Sequence, residues 1–452
     1  MIIKDLKQVF LIGIGGIGMS ALARYFNHFG VQVAGYDKTE TALTRQLIKE
    51  GISVYYDDAV EHVSFAFKWP PEAYLVIYTP AVPKDFALVS FFEALGCRLY
   101  KRSEILGMIS TEHYTIAVAG THGKTTTSSM IAHLLTNSGY GCSAFLGGIA
   151  ANYNSNVLFS ASETLVVEAD EFDRSFLTLR PEIAIVTSTD ADHLDIYGDA
   201  EHVVESFNLF VNLVPTTGIR IIKKGLALPS DISYTATTVA DAYAANIRVT
   251  KGLFYFDYHA KDKIIEDIQL GIAGRHNVEN AVAAITAVNQ LGLTAESIKE
   301  ALSSFRGVKR RFEYVVNNEY GVYIDDYAHH PVELKACLTT VRELFREEEI
   351  TCIFQPHLFT RTRDFADEFA EALALADVLI LTDIYPAREE PIAGVDAEWL
   401  LNKVDLKRKF KLSSEEILAY VRRERPKVLL TVGAGNIDLL VEPIKEVLED
   451  VS

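Results

Sequence analysis

The chain has 452 residues, of which 49% are apolar and 23% charged, and a formal net charge of −18. That acidity speaks against nucleic acid and anionic membranes as partners, and any site for phosphorylated ligands must gather its own cations. No apolar run is long enough to span a bilayer. The start, Met1-Ile2-Ile3-Lys4-Asp5-Leu6, lacks the basic and apolar regions of an export signal, and Cys97, Cys142, Cys337 and Cys352 are scattered in no metal-ligand spacing. The expectation is a cytoplasmic protein with reduced thiols, divided into about three domains of roughly 150 residues.

A first apolar strand over 9–13 runs into Gly13-Ile14-Gly15-Gly16-Ile17-Gly18-Met19-Ser20. A helical run follows over 21–28, and a second strand over 31–37 ends in Asp37. Gly13, Gly15 and Gly18 have the dinucleotide spacing, with an acid about 20 residues on to meet a ribose hydroxyl. The pattern says that a diphosphate fits at a helix start. NAD carries one, and so does a UDP-sugar. Further strands are predicted at 73–78 and 97–100, with the stiff turn Thr79-Pro80-Ala81-Val82-Pro83 between them and a helix opening at Arg102. The first domain boundary is expected near 110–113.

A strand over 115–119 then leads into Gly120-Thr121-His122-Gly123-Lys124-Thr125-Thr126, and a helix is predicted over 128–135. Strand, glycine loop and helix start together make an anion site, because backbone N–H groups and the positive helix end face a phosphate. Gly120 and Gly123 let the backbone approach, Lys124 reaches the β- and γ-phosphates, and Thr125 can ligate Mg²⁺. The strand 165–167 ends in Glu168-Ala169-Asp170-Glu171-Phe172-Asp173, and the strand 183–186 ends in Thr187-Ser188-Thr189-Asp190-Ala191-Asp192-His193-Leu194-Asp195. Both put hard oxygen ligands at strand ends. Short alternating runs over 218–271 suggest antiparallel hairpins. Gly274-Arg275-His276-Asn277-Val278-Glu279-Asn280 opens a helix over 281–291, and the basic cluster Lys309-Arg310-Arg311 marks a second boundary.

In the last part, a strand over 322–324 runs into Asp325-Asp326-Tyr327-Ala328-His329-His330-Pro331. A strand over 351–354 leads to Gln355-Pro356-His357-Leu358-Phe359-Thr360-Arg361-Thr362-Arg363. So many polar groups on two turns would need many partners as mere packing. The arginines offer planar forks for a carboxylate or phosphate. Two more buried-type strands, 378–382 and 428–432, precede Gly433-Ala434-Gly435-Asn436-Ile437.

The loop G-T-H-G-K-T-T resembles that of the Mur ligases, the ATP-dependent amino-acid ligases of peptidoglycan synthesis, and the other strings follow in the family's order from Gly13 to Gly435. The resemblance implies an α/β fold of three domains, each a mainly parallel sheet with helices. They are an N-terminal Rossmann-like domain for the UDP-sugar (1–110), a central P-loop ATPase-like domain (111–305) and a C-terminal Rossmann-like domain completing the ATP and amino-acid sites (306–452). It implies the joining of L-alanine to the lactyl carboxylate of UDP-N-acetylmuramate through an acyl phosphate, with ATP and Mg²⁺. Gly13, Gly15, Gly16, Gly18, Met19, Ser20 and Asp37 would then take the sugar nucleotide.

For ATP the resemblance points to Gly120, Thr121, His122, Gly123, Lys124, Thr125, Thr126, Asn277, Asp326, and Arg310 or Arg311. Thr125, Glu168 and His193 would hold magnesium. Lys124 and His193 would act in the chemistry together with His330, Arg361 and Arg363, where the His329/His330 pair and the two arginines are candidates for anchoring alanine's carboxylate and taking a proton from its ammonium. Phe172 and Asn436 depart from the family's pattern. No lysine occurs between 175 and 222, so the metal would be held without a carbamate. A monomer or weak homodimer is expected, with no nucleic acid or membrane partner. Other readings are a peptide-recycling ligase of the same family, an NAD-dependent oxidoreductase resting only on the first glycine loop and Asp37, and a nucleotide-binding scaffold without catalysis.

Overall fold

The computed structural model describes residues 6–60, 73–79, 82–83, 85–190, 200–387 and 389–450. They form three sheets flanked by helices. The first sheet contains β1 (Gln8–Ile12), β2 (Gln32–Tyr36), β3 (Ser53–Tyr55), β4 (Tyr74–Tyr78) and β5 (Leu99–Lys101). Its order is β3-β2-β1-β4-β5, parallel throughout. Strands covered on both faces read as unbroken apolar runs, as β1 does. The order reverses between β1 and β4, and ligands bind outside the carboxyl ends of strands at such a switch point. The helices are α1 (Ile17–His28), α2 (Ala42–Lys49), α3 (Ala87–Ala94) and α4 (Arg102–Ser110). Helix α1 starts earlier than the sequence pattern suggests, so Gly18, Met19 and Ser20 lie in its first turn.

The second sheet contains β6 (Tyr114–Ala119), β7 (Ser143–Ala150), β8 (Ser155–Leu158), β9 (Thr164–Glu168), β10 (Ile183–Val186), β11 (Ile219–Lys223), β12 (Ile232–Thr235), β13 (Ala242–Thr250), β14 (Leu253–Ala260) and β15 (Lys263–Leu270). The order is β15-β14-β13-β12-β11-β10-β6-β9-β7-β8. The strands β6, β9 and β10, which carry the loop and both acidic strings, are parallel neighbours with β6 in the middle. All three strings therefore emerge at one sheet edge. The expected hairpins over 218–271 are corrected in part, because β11, β12 and β13 pair in parallel. Alternation marks a strand but not its direction. The helices are α5 (Lys124–Asn137), α6 (Ala200–Val211), α7 (Arg275–Asn289) and α8 (Ala295–Ser304).

The third sheet has β16 (Glu313–Asn318), β17 (Gly321–Asp326), β18 (Ile350–Phe354), β19 (Val378–Leu381), β20 (Arg408–Lys411) and β21 (Val428–Val432), in the order β16-β17-β21-β18-β19-β20. Only the edge pair β16–β17 is antiparallel. Helix α9 (Pro331–Leu344) follows β17, and α10 (Phe359–Asp364) follows β18.

Contacts gather the chain into two compact units. One is Met1–Ala245, Tyr258–Ile265 and Glu279–Leu302, and the other is Asn246–Asp257, Glu266–Val278 and Ser303–Ser452. Within the first, one apolar core runs from Leu11 and Phe26 to Phe145, Val167 and Phe207, and a second gathers around Phe10, Val76 and Phe92. Asn156 of β8 ties into α1: it accepts from the Arg24 guanidinium and donates to the Ile17 carbonyl and to Ser20 Oγ. The second unit has its own core around Tyr323, Ile353 and Leu429.

Candidate functional site

The loop after β6 turns on two glycines in the left-handed region, Gly120 (φ 134°) and Gly123 (φ 81°). A Cβ on Gly120 would lie 2.8 Å from the Ser188 backbone nitrogen, so glycine is sterically required there, whereas one on Gly123 would meet only the movable end of a side chain, 2.7 Å from Asn280 Oδ1. Gly123 precedes α5 directly, so Lys124, Thr125 and Thr126 form the first helical turn, earlier than the sequence pattern suggests. The segment after β10 clamps the loop. Ser188 Oγ shares a hydrogen bond with Thr121 Oγ1 (2.8 Å) and accepts from the His122 N–H (2.8 Å). Thr187 Oγ1 donates to the Ala119 and His122 carbonyls, and the Asp190 N–H donates to Thr121 Oγ1 (3.1 Å). His122 Nε2 lies 3.6 Å from Asp190 Oδ2.

Lys124 folds back over this loop. Its Nζ donates to the Gly120 carbonyl (2.6 Å) and to Glu171 (2.9 Å), whose side chain is only 2% exposed. Burial pulls the ammonium pKa down, but the carboxylates of Glu171, Glu168 and Asp170 outweigh it and hold it above the ordinary lysine value. Lys124 is therefore a fixed positive charge at neutral pH. Glu168, at the end of β9, accepts from the Gly147 N–H (3.0 Å). Asp170 accepts from the Phe172 N–H (3.1 Å) and faces Arg102 at 3.5 Å. Phe172 opens a short 3-10 turn (Phe172–Thr178) directly after these acids.

The donor set suits magnesium. Among the described residues no three His, Cys, Asp or Glu side chains gather as a metal cage. Mg²⁺ is usually held by one or two carboxylates together with substrate phosphates and water, and the hydroxyl of Thr125 and the carboxylate of Glu168 are groups of that kind. His193 lies outside the described residues.

In the first sheet, Gly13 has φ 88°, and the Gly13 and Ile14 N–H groups both donate to the Tyr36 carbonyl (2.7 and 2.9 Å). Asp37 accepts from the Gly15 N–H (2.7 Å) and the Thr39 N–H (3.1 Å). Asp37, expected from sequence to meet a ribose hydroxyl, also braces the loop from behind. A Cβ on Gly15 would lie 2.7 Å from Asp37 Oδ2 and 2.8 Å from Thr44 Cγ2. Met19 and Ser20 are buried, and the Ser20 hydroxyl bonds to the Ile17 carbonyl and Asn156. These two residues face the fold with their side chains.

The second unit carries the remaining candidates. Asp326, buried at the end of β17, accepts from the Phe312 and Ala328 N–H groups (both 2.7 Å), and burial raises its carboxyl to a pKa of about 6. Arg310 is internally committed: Nε donates to buried Asp325 (2.9 Å) and Nη2 to the Gly433 carbonyl (2.7 Å). Arg311 is more exposed. It lies 3.6 Å from Glu333 and stacks on Tyr327. His330 caps α9, its Nδ1 accepting from the Val332 N–H (3.4 Å), and its ring packs on Phe365. His329 instead packs edge-on against His357, whose Nδ1 lies 3.3 Å from Nη1 of buried Arg361. Burial holds His329 below the ordinary histidine value, partly opposed by Glu333 and reinforced by Arg361. Arg363 points away, exposed and bonded to Asp364 (2.7 Å). Asn277 donates to the Ala273 carbonyl (2.6 Å). Asn436 accepts from Gln355 (2.8 Å), a bond that an aspartate would also accept.

Sequence reasoning did not single out Glu171, Ser188, Asn280 or Arg102. The first three stood inside strings already noted, but nothing local marked their partners.

The glycine-started helix, its lysine and threonine, and carboxylates at the neighbouring strand end define a P-loop nucleotide-binding protein built for phosphoryl transfer. Family models match along the chain: "Mur ligase family, catalytic domain" over 8–114, "Mur ligase middle domain" over 118–288 and "Mur ligase, glutamate ligase domain" over 310–435. A UDP-N-acetylmuramate--L-alanine ligase of Parabacteroides distasonis is 48% identical, the alignment covering 99% of this chain and 98% of that protein. One of Flavobacterium psychrophilum is 46% identical over 100% of both. The crystal structure of UDP-N-acetylmuramate-alanine ligase MurC from Thermotoga maritima superposes with a TM-score of 0.82 at 28% identity, covering 97% of this chain and 98% of that one. A murein peptide ligase of Psychrobacter arcticus, at 22% identity and a TM-score of 0.69, over 99% of each chain, shares the fold. The chain belongs to the Mur ligase family.

Proposed function

We infer that this chain is an ATP-dependent ligase that joins L-alanine to the lactyl carboxylate of UDP-N-acetylmuramate, giving UDP-N-acetylmuramoyl-L-alanine, ADP and phosphate in peptidoglycan precursor synthesis. The observation that carries the reading is identity of 43–48% to ligases of that name over 98–100% of this chain. A cytoplasmic setting belongs to the same reading. Among the described residues no helix is long and apolar enough to cross a membrane.

The residues fit the chemistry. The loop N–H groups, the start of α5 and Lys124 neutralise the γ-phosphate while the sugar's carboxylate attacks it, a step that needs charge stabilisation more than covalent help. Mg²⁺, which supplies charge neutralisation when bound, would be held by Thr125 and Glu168, with His193 a further candidate. In the second unit Arg361 is the better candidate for alanine's carboxylate and Arg363 the weaker, since one is buried beside histidines and the other faces solvent. His329, kept neutral by burial, is the better placed proton acceptor, and His330 serves as a helix cap. Arg311 is the better candidate for nucleotide, because Arg310 is bonded inward. The division of labour over 1–110, 111–305 and 306–452 is supported by the three sheets.

The test is phosphate release with UDP-N-acetylmuramate and ATP, comparing L-alanine with a tripeptide acceptor. Release with alanine is expected. Preference for the tripeptide would favour the peptide-recycling reading.

A further inference from the structure

We propose that Arg102 is a substrate-binding residue, whose guanidinium takes an oxyanion of the sugar nucleotide and ties it to the phosphoryl-transfer centre. The proposal rests on the reading that a UDP-sugar enters the glycine loop after β1.

Three observations carry it. The first is the room made for this side chain. A Cβ on Gly18 would lie 2.8 Å from Arg102 Nη1 and 2.9 Å from its Cδ. The third glycine of such a loop ordinarily serves close packing of helix on strand. Here its bare Cα lets a guanidinium lie against the first turn of α1, where the diphosphate of the ligand is expected. The second is its other end. Arg102 Nη2 faces Asp170 at 3.5 Å, and Asp170 is one of the carboxylates whose charge raises the Lys124 pKa. One side chain thus reaches from the sugar-nucleotide loop to the acids around the phosphate-binding lysine, all within the first unit. A separation of 3.5 Å is a loose contact, and among the described residues Asp170 is the one hydrogen-bond partner of a group with five N–H donors.

The third is the cost to its own helix. Arg102 is the first residue of α4, where a cation opposes the helix dipole. The helix start is instead served by Glu104, which accepts from the Lys101 N–H (2.6 Å). A cation that does not help its helix, in a chain of net charge −18, puts a positive charge beside the first loop.

The oxyanion is either the diphosphate or the lactyl carboxylate, and two ligands separate them. Binding of UDP and of UDP-N-acetylmuramate is measured by calorimetry for the wild type, Arg102→Ala and Arg102→Lys, with an ATP analogue as control and Tm recorded for each. Loss of a charge-assisted bond predicts roughly 10- to 100-fold weaker binding of UDP-N-acetylmuramate by Arg102→Ala. Partial recovery is expected in Arg102→Lys, with ATP-analogue affinity and Tm nearly unchanged. Weakening of UDP as well assigns the diphosphate, and weakening of UDP-N-acetylmuramate alone assigns the carboxylate. Unchanged UDP-N-acetylmuramate affinity, or equal losses for both nucleotides with a fall in Tm, would overturn the proposal and leave Arg102 a structural ion pair. A wild type that binds neither UDP ligand would instead remove the functional reading, and this inference with it.

Discussion

The first unit builds the same device twice, and the two copies differ in how they are charged. After β1 and after β6, a buried parallel strand ends in a glycine with positive φ and a helix begins within a few residues. The loop after β6 carries its own cation, Lys124, poised against Glu171. The loop after β1 carries none, and an anion, Asp37, holds its Gly15 N–H from behind. On the proposed function, the difference follows from the task. A diphosphate that is only held needs no charge that changes partner, and is served by backbone dipoles and fixed groups beside the loop. A phosphoryl group that is transferred changes its charge distribution during reaction, and a lysine that can exchange a carboxylate for a phosphate meets that change.

The largest test of this contrast is Lys124→Ala, which should lower kcat by about a hundredfold or more while leaving UDP binding intact. The ion pair adds a stability effect that a loop lysine would not suggest. Glu171 is left buried without its cation, so Lys124→Ala should also lose about 3 kcal/mol of stability. The double variant Lys124→Ala/Glu171→Gln should regain most of that stability in denaturant titration and none of the rate. If the rate returned with the stability, the lysine would be a structural ion-pair partner and the contrast would collapse.

Gly15→Val breaks the other loop. Its side chain must displace Asp37 and Thr44, and roughly 30-fold weaker binding of the UDP-sugar is expected, the scale of a 2 kcal/mol loss. ATP-analogue affinity should hold. Equal losses of both would mean that the two loops share one ligand. Asp37→Asn sharpens the point by keeping the shape and removing the charge. An amide oxygen can still accept from the Gly15 N–H, so the loop should survive and UDP binding weaken by about fivefold at most. A far larger loss, confined to ligands bearing a ribose, would favour the direct ribose contact expected from sequence.

The smallest effect is expected from Gly123→Ala. A left-handed φ of 81° costs an alanine about 1 kcal/mol, and Asn280 must yield to the new methyl. ATP-analogue binding should weaken a few-fold with UDP binding unchanged, read by the same titrations. No loss at all would show that the loop tolerates a side chain where the phosphate is expected to approach.

What could be read from residues alone was whatever is local. Glycines at fixed spacings, a lysine and threonine at a helix start, and acids closing apolar runs declare a phosphate chemistry without any fold, because each acts within one strand-loop-helix unit. The buried strands were legible for the same reason, since strands covered on both faces are largely apolar, while their parallel direction came only with the family resemblance.

What only the tertiary structure decided was which of two adjacent like residues faces which partner. Arg310 turns inward to Asp325 while Arg311 reaches Glu333, although both lie over the Tyr327 ring. His330 caps a helix while His329 meets His357, and Arg361 is buried while Arg363 is not. The same holds for pairs far apart in the chain, Lys124 with Glu171 and Arg102 with Gly18. Side-chain direction at a turn depends on backbone dihedrals that composition does not set, and a long-range ion pair depends on strand order. Residues that look equivalent in sequence therefore part company once β6, β9 and β10 are laid side by side.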